Sequence, residues 1–446
     1  MTLADAEKLL KKCGQSHVLA HWKKLSAKER KALLEQIAKI DAKDLARCRA
    51  ALKEGGEVFD SSKGRAPAVA VLKGAKLQAA IEAGEKELAA GRVAALLVAG
   101  GQGSRLGFNG PKGCYSIGPI SGASLFYFHA RKILARSIRY GAPIPFYIMT
   151  SEANYEETVA CFEDNDYFGL NKEDVFFFRQ GMWPGMTKDG QIILDAPGHI
   201  FMSPDGHGGM LAALKKSGAL ADMKKRGIKS IFFFQVDNPL VEIADPAFIG
   251  QHILEKSEYS LKLCAKRDPY EKLGMPMRFG SEYRIVEYSE MTEEQNTRKA
   301  KNGKLYFLYG SPAVHVFDYK FLNREASQPM PLHLAFKKIP MVNDKGQVVK
   351  PTEPNGYKFE KFIFDILPKA KRVAFVSLDP AEEFAPVKNA EGSDSPATCQ
   401  AAMQAKWRRQ LAQAGIQCDP ELPIEIDPCY ALDVTDLMSI GLYLGM

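Results

Sequence analysis

Short apolar runs alternate with amphipathic stretches from about residue 91 onward. The runs VAALLVA, PFYIMTS, VFFFRQ and SIFFFQVD are rich in β-branched and aromatic residues, and stretches such as LFYFHARKILARSIRYG lie between them with helical periodicity. Strands that are apolar on both faces are typical of parallel sheets covered by helices. The pattern therefore predicts an α/β fold with a mostly parallel, Rossmann-like central sheet and helices on both faces.

The pattern differs on either side of this region. Residues 1–90 read as helical: the apolar stripe of LADAEKLLKK stops at Gly14, and Ser26 to Glu29 form a capping box before RKALLEQIAKI. After about residue 375 the alternation thins into a tail containing Pro, Asp and Glu. We therefore expect a helical N-terminal region at 1–90, a main domain at 91–375 and a small C-terminal domain at 376–446.

Composition excludes several classes of protein. With 446 residues, 46% of them hydrophobic and 25% charged, the chain is globular rather than disordered. The 8 cysteines show neither CxxC pairs nor zinc spacing, which favours reduced thiols in a cytosol. The amino terminus is charged almost at once, and nowhere do eighteen apolar residues run together. We expect a cytoplasmic protein with no membrane partner.

The net charge of +7 arises mostly in the first ninety residues, which hold 18 Lys and Arg against 12 Asp and Glu. These cations are interleaved with acids at helical spacing, as on a solvated helical surface. A nucleic-acid protein is the alternative that this basic segment suggests, and it would bind in a salt-dependent manner. We expect no nucleic-acid partner.

A glycine-rich loop follows the first of the apolar runs. The stretch LLVAGGQGSRLGFNGPKG has glycines at 100, 101, 103 and 107, with Arg105 inside it and Lys112 just beyond. Exposed backbone amides together with fixed cations suit a phosphate group. The spacing fits neither the dinucleotide fingerprint nor the Walker loop. The sequence VDN at 236–238 also follows a candidate strand, so both segments are expected at the carboxyl edge of the sheet.

A series of motifs carries a resemblance to a known family. After GGxGxRLG and PK come QGMWPGM, PDGHGG, VDNPLV, VEYSE, NGYKFEKFIFD and PVKNA, in order between about residues 95 and 390. Together they resemble the eukaryotic-type UDP-sugar pyrophosphorylases, and within them the UDP-N-acetylglucosamine pyrophosphorylase branch. The resemblance implies a nucleotide-diphosphosugar transferase fold, Mg²⁺ as cofactor, and UTP and a hexose 1-phosphate as substrates.

The resemblance also implies roles for individual residues. It assigns catalysis to Arg105, Lys112 and Lys388; nucleotide binding to Gly100, Gly101, Gly103, Gln180 and Gly206; sugar binding to His207, Gly274, Glu287, Ser311 and Phe364; and Mg²⁺ binding to Asp237. The chemistry of these residue types agrees with the roles, because an amide side chain matches O4 and N3–H of uracil and a carboxylate suits Mg²⁺.

Two departures from the family pattern concern the sugar. His207 stands in PDGHGG where the family has asparagine, and the segment Gly310-Ser-Pro-Ala-Val-His315 lacks two further asparagines. N-acetylglucosamine 1-phosphate is therefore the expected substrate, with glucose 1-phosphate or a broader sugar range as the alternative. A non-catalytic nucleotide-sugar-binding regulator is an alternative of another class, which retention of Arg105, Lys112, Asp237 and Lys388 disfavours.

Overall fold

The computed structural model describes residues 1–55 and 60–443. Its helices are α1 Leu3–Lys12, α2 Ala27–Ala38, α3 Ala42–Glu54, α4 Gly74–Ala89, α5 Leu125–Tyr140, α6 Tyr155–Asp164, α7 Met210–Lys216, α8 Ala219–Lys225, α9 Pro246–Leu254, α10 Glu293–Thr297, α11 Tyr319–Glu325, α12 Pro380–Glu383, α13 Pro396–Gln413 and α14 Val434–Tyr443. Its strands are β1 Val93–Val98, β2 Phe146–Thr150, β3 Val175–Arg179, β4 Met182–Pro184, β5 Leu194–Ala196, β6 His199–Ile200, β7 Met202–Pro204, β8 Ser230–Gln235, β9 Tyr259–Ala265, β10 Met275–Phe279, β11 Glu282–Val286, β12 Tyr309–Asp318, β13 His333–Lys337, β14 Met341–Val342, β15 Val348–Val349, β16 Gly356–Glu360 and β17 Val373–Leu378.

The chain divides into two compact units. The smaller unit comprises Met1–Asp60, Gln180–Met210 and Pro329–Asp365, and the larger unit comprises Ser61–Arg179, Leu211–Gln328 and Ile366–Met446. These borders differ from the three segments expected from the sequence, because the first sixty residues group with two stretches far along the chain. The division into a helical region, a main domain and a C-terminal domain stays a prediction.

A seven-stranded sheet forms the larger unit, in the order β17-β9-β12-β8-β1-β2-β3. All neighbouring pairs are parallel except those of β12, which runs antiparallel to β8 and β9. The four predicted strands, β1, β2, β3 and β8, lie side by side and run in the same direction. The prediction of an α/β fold with a mostly parallel sheet is confirmed.

The helix predicted between the first two strands is α5. Ser124 begins it by accepting a hydrogen bond from the Tyr127 amide at 3.2 Å, and Gly141 ends it in the left-handed conformation, with φ of 65°. Its apolar side chains, including Phe126 and Ile133, are buried in the core beside the strands. Capping and apolar periodicity together therefore fix one helix face against the sheet.

The smaller unit combines helices with short antiparallel strand pairs. The helices α1 to α3 share a core with the strand residues Trp183 and Phe359, and the pairs are β4–β7, β5–β6, β13–β16 and β14–β15. The predicted capping box is present at the start of α2, where Ser26 and Glu29 bond each other's backbone amide. Within residues 1–55 and 60–443, none of the helices has the length and apolar character that crossing a membrane requires.

Candidate active site

The glycine-rich loop leaves β1 and closes on itself. The Gly103 amide donates a hydrogen bond to the Gly110 carbonyl at 2.9 Å, and the Lys112 amide donates one to the Gly101 carbonyl at 3.1 Å. Gly107 has a φ of 70°, a left-handed conformation that favours glycine. These contacts hold residues 101–112 as one compact turn at the carboxyl end of the strand.

The same loop keeps one side open. A Cβ added at Gly103 would lie 2.7 Å from the Phe108 ring, whereas one added at Gly101 would meet nothing within 4 Å. Among the described residues, no acceptor is found for the amides of Gly101 and Gln102. Free amides beside open space form the concave donor surface that anions bind.

The Asn154 side chain holds the glycine-rich loop through hydrogen bonds to its backbone. This residue was not among those predicted from the sequence. The Asn154 side-chain amide donates to the carbonyls of Ala99 at 2.9 Å and Gly101 at 3.3 Å. Its own carbonyl accepts a hydrogen bond from the Ser151 amide at 2.8 Å, and the residue is buried. The available signal was the one used for Asp237, a polar residue just beyond a buried strand.

Arg105, Lys388 and Asp237 all lie within electrostatic reach of Lys112. Burial lowers the pKa of Lys112, and the positive charges of Arg105 and Lys388 lower that pKa further. The negative charge of Asp237 acts in the opposite direction and raises it. Like charges gathered around a partly buried lysine are costly without an anion between them. The structure thus brings together the four residues predicted to handle phosphate.

Hydrogen bonds tie the VDN segment to residues 383–387. The Asp237 carbonyl accepts a bond from the Val387 amide at 2.8 Å. The Asn238 side chain accepts one from the Ala385 amide at 3.1 Å and donates one to the Glu383 carbonyl at 2.7 Å. Sequence reasoning did not single out Asn238. These three bonds explain how a residue as late in the chain as 388 reaches the end of β8.

Lys388 itself is only loosely held. Its Nζ lies 3.8 Å from Asp394 Oδ2 and 5.8 Å from the centroid of the Phe384 ring. Its backbone amide donates to the Asp394 carbonyl at 2.7 Å, so the main chain is fixed more firmly than the ammonium group. A cation with one long ion pair retains most of its capacity to bind phosphate oxygens.

Asp237 is the only predicted metal ligand. Among the described residues, its carboxylate makes no hydrogen bond or ion pair, and no group of three or more His, Cys, Asp or Glu that could hold a metal is found. Mg²⁺ commonly binds through one or two carboxylates plus substrate phosphates and water. A carboxylate without a hydrogen bond or ion pair among the described residues, beside cations predicted to bind phosphate, fits that chemistry, and magnesium stays a prediction.

Three of the predicted sugar-binding residues lie together in the larger unit. The Ser311 amide donates to the Gly274 carbonyl at 2.9 Å. A Cβ at Gly274 would lie 2.6 Å from Ile285 Cγ2 and 3.4 Å from Glu287 Oε1, so this position requires glycine. The register of β12 against β9 shifts after Gly310, and such bulges reorient side chains beside functional sites.

In the smaller unit, the PDGHGG loop packs against residues 361–363. Gly206 has a φ of 79°, and a Cβ there would lie 2.5 Å from the Lys361 carbonyl oxygen. The buried Asp205 carboxylate accepts a bond from Lys361 Nζ at 3.1 Å, and that ammonium lies 4.3 Å from the centroid of the Trp183 ring. The charges in this region are therefore paired and enclosed.

His207 is neutral and has a fixed orientation. Its Nδ1 accepts a hydrogen bond from the Ile363 amide at 3.1 Å, which assigns the ring proton to Nε2. The ring stacks on Phe362 with centroids 5.3 Å apart, and Phe364 lies 5.6 Å away. Burial lowers the pKa of His207 to about 4. His207 therefore presents an Nε2–H donor at neutral pH.

Gln180 opens the central segment of the smaller unit, directly after β3. Its side-chain amide is half-buried and makes no hydrogen bond among the described residues. The next residue, Gly181, is fixed because its carbonyl accepts a bond from the Asp205 amide at 3.0 Å.

The residues predicted to form the site are divided between the two units. The larger unit contains Gly100, Gly101, Gly103, Arg105, Lys112, Asp237, Gly274, Glu287, Ser311 and Lys388, and the smaller unit contains Gln180, Gly206, His207 and Phe364.

Comparison with known proteins identifies relatives over most of the chain. The chain is similar to a UDP-N-acetylglucosamine pyrophosphorylase of Saccharomyces cerevisiae, with 36% identity over 440 residues that cover 93% of this chain and 92% of the yeast protein. It is 36% identical over 430 residues to UDP-N-acetylglucosamine diphosphorylase 2 of Arabidopsis thaliana, covering 91% and 84% of the two chains.

The fold agrees with these relatives. A solved structure of the uridine diphosphate N-acetylglucosamine pyrophosphorylase from Trypanosoma brucei matches with a TM-score of 0.80 and 27% identity, covering 100% of this chain and 92% of that one. The profile of the UTP–glucose-1-phosphate uridylyltransferase family matches residues 49–403, well over half of the chain. The chain therefore belongs to this family of uridylyltransferases, which are nucleotidyltransferases.

Proposed function

We propose that this protein joins UTP and N-acetylglucosamine 1-phosphate to give UDP-N-acetylglucosamine and pyrophosphate. The observation that supports it most strongly is the cluster of Arg105, Lys112, Lys388 and Asp237 beside the open amides of the glycine loop. The names of the relatives from yeast, Arabidopsis and Trypanosoma support the choice of sugar. A cytoplasmic location stays a prediction from the sequence.

The reaction is an in-line displacement at the α-phosphorus of UTP. An oxygen of the sugar 1-phosphate attacks, and pyrophosphate leaves, so the protein supplies no nucleophile. The obstacle is repulsion between two anions and the charge that spreads over the oxygens in the transition state. Positioned cations remove this obstacle, and the candidate site consists mainly of such cations.

The roles follow from charge and placement. Lys112 and Lys388 neutralise charge on the α-phosphate, and Arg105 binds the phosphates that leave. The free amides of the glycine loop orient the triphosphate without adding charge. Bound at Asp237, Mg²⁺ would supply further neutralisation of the triphosphate. None of these contacts requires a residue of the chain to change its protonation state.

Base and sugar recognition rest on neutral groups. Gln180 offers one donor and one acceptor to uracil, and Gly206 leaves room for the base. In the larger unit, Gly274, Glu287 and Ser311 are the residues proposed to bind the sugar, and the sugar-binding roles of His207 and Phe364 in the smaller unit stay predictions from the sequence. His207 and Ser311 replace the asparagines of the family pattern, and this observation keeps glucose 1-phosphate, or a broader range of sugars, as the second candidate.

The direct test is pyrophosphate release from UTP with a panel of hexose 1-phosphates, including N-acetylglucosamine, N-acetylgalactosamine and glucose 1-phosphates. We expect release only when a sugar phosphate is present, fastest with N-acetylglucosamine 1-phosphate, and none after chelation of divalent metal. Asp237→Ala, purified in parallel, controls for contaminating enzymes. Binding of UTP without turnover on any sugar would favour the regulator instead.

A further inference from the structure

Helix α5 holds the loop that carries Asp237. His129 Nε2 lies 3.0 Å from the Val236 carbonyl oxygen. Lys132 Nζ donates hydrogen bonds to the carbonyl oxygens of Pro239 at 2.6 Å and Val241 at 2.9 Å. Three hydrogen bonds from one helix therefore fix the backbone on both sides of Asp237.

The direction of the Asp237 carboxylate depends on this backbone. Among the described residues, the carboxylate itself makes no hydrogen bond or ion pair, so no side-chain contact orients it. The neighbouring Asn238 is fixed to residues 383 and 385, which also restrains the loop. The amides of Leu240 and Val241 bond back to Asn238, and among the described residues the hydrogen bonds that reach segment 239–241 from another element are the two from Lys132.

The surroundings of Lys132 are nearly balanced in charge. Burial and the positive charges of Lys406 and Arg136 lower its pKa to about 7, while Glu242 and Glu383 raise it. Glu242 is itself paired with Lys406 and lies 3.4 Å from Arg136. A neutral lysine keeps two N–H groups, which equals the number of carbonyls it serves. Either protonation state of Lys132 therefore supplies the two donors that the loop carbonyls accept.

We infer that Lys132 is a positioning residue of the phosphoryl-transfer site, which fixes loop 236–241 and thereby directs the Asp237 carboxylate. The inference rests on the proposed function, because it assigns Lys132 to that same reaction. Lys132 touches neither substrate nor reacting atoms. Its loss is expected to lower turnover more than UTP binding, since misplacement of a reactive geometry by about 1 Å costs up to about a hundredfold in rate.

Two variants of Lys132 separate the donors from the charge. Lys132→Met keeps the aliphatic stem and removes every donor, whereas Lys132→Gln keeps two N–H donors without a charge. Arg139→Met is the matched control, because Arg139 lies on the same helix and pairs with Asp433 and Asp436 rather than with the loop. The measurements are kcat, the Kd for UTP, and amide hydrogen exchange of peptides spanning 236–242.

We expect Lys132→Met to lose about ten- to a hundredfold in kcat, with the Kd for UTP changed by less than about threefold. Exchange in 236–242 becomes faster, Lys132→Gln recovers part of both losses, and Arg139→Met changes neither. Turnover of Lys132→Met within threefold of the parent, or a Gln variant as impaired as the Met variant, would overturn the inference. If Lys132→Met does not fold, Lys132→Gln against Arg139→Met decides the question.

Failure of the proposed function is distinguishable from failure of this inference. A parent protein without turnover on any sugar phosphate would refute the proposed function alone. Hydrogen exchange would then decide whether Lys132 fixes the loop: unchanged exchange of 236–242 in Lys132→Met would overturn that contact, and faster exchange confined to those residues would support it.

Discussion

The cluster of Arg105, Lys112, Asp237 and Lys388 in the larger unit and the PDGHGG region of the smaller unit differ in how their charges are neutralised. In the first, Arg105 is exposed, Lys388 has one long ion pair with Asp394, and the Asp237 carboxylate acts on Lys112. In the second, Lys361 is buried against Asp205, and His207 is neutral. The cluster in the larger unit therefore has more cations than its carboxylates neutralise, whereas in the PDGHGG region the Lys361 and Asp205 charges neutralise each other.

This difference reflects what each region is proposed to recognise. A phosphate chain carries several negative charges, so a site for it gains from cations that the protein itself does not neutralise. Uracil and a hexose are neutral, so a site for them gains from donors and acceptors at fixed positions and from tight packing. Changes in the first region should therefore alter the rate, and changes in the second should alter selectivity or stability.

Asp237→Ala is expected to have the largest effect. Loss of the proposed metal anchor removes a contact that strengthens as charge develops, and such losses cost about 3 to 4 kcal/mol, or roughly a hundredfold to a thousandfold in kcat. The Kd for UTP should change far less. Asp419→Ala is the matched control, since among the described residues the Asp419 carboxylate bonds only to the Glu421 amide of its own loop. Equal losses in kcat and UTP affinity would contradict a transition-state role.

Lys388→Ala is expected to lower kcat by a similar factor, about a hundredfold or more, because the cation proposed for the α-phosphate is lost. Lys388→Met tests charge separately, since it removes the ammonium group and keeps an unbranched apolar side chain of similar length. Both variants should therefore be equally impaired. Turnover of Lys388→Ala within a few-fold of the parent would remove the PVKNA segment from the catalytic site, even if Asp237→Ala behaves as expected.

Because the pKa of His207 is lowered, we expect the stability of the smaller unit to depend on pH. Its folded-state pKa of about 4 lies below the ordinary 6.5, so the neutral form contributes stability above pH 6.5 that is lost as the pH falls through 4. The contribution is at most about 3 kcal/mol. His207→Asn keeps an acceptor for the Ile363 amide and does not titrate. The parent should lose stability relative to His207→Asn as the pH falls from 6.5 to 4, and a constant difference between the two unfolding free energies would contradict a neutral His207 in the folded protein.

Gln180→Ala is expected to have the smallest effect and to act on selectivity. Leaving the polar groups of uracil unmatched costs about 1 to 3 kcal/mol in kcat/KM for UTP. The preference for UTP over CTP should decrease by the same free energy, while kcat at saturation stays close to that of the parent. Gln347→Ala, an exposed glutamine of the same unit, is the control. Unchanged discrimination between UTP and CTP would remove Gln180 from the uracil site.

The sequence predicted the parts of the fold that local pattern determines. Strands β1, β2, β3 and β8 and helix α5 were all recognised, because buried strands and amphipathic helices have their own periodicity. The pairing of β13 with β16, and the grouping of residues 1–60 with 180–210 and 329–365, could not be predicted. Those contacts join distant segments, and neither partner alone carries a pattern that specifies the other.

The candidate site shows the same division. Motifs identified the residues expected to touch the substrates, such as Arg105 and Asp237. The residues that hold them, Asn154 and Lys132, were missed because each bonds main-chain carbonyls that any sequence would offer. The neutral state of His207 also needed the structure, since it follows from burial and from the Ile363 amide. Residues that support a site through hydrogen bonds to the backbone are therefore difficult to recognise from a single sequence.

Transfer of radioactive label from UTP to the sugar phosphate would demonstrate the proposed reaction itself. The protein is incubated with α-³²P-labelled UTP, N-acetylglucosamine 1-phosphate and Mg²⁺, and the products are separated. We expect all transferred label to appear in the UDP-sugar, unlabelled pyrophosphate to form in equal amount, and neither product to form without the sugar phosphate. Label that stays in UTP, or that appears only in UMP whether or not the sugar phosphate is present, would contradict attack by the sugar phosphate at the α-phosphorus.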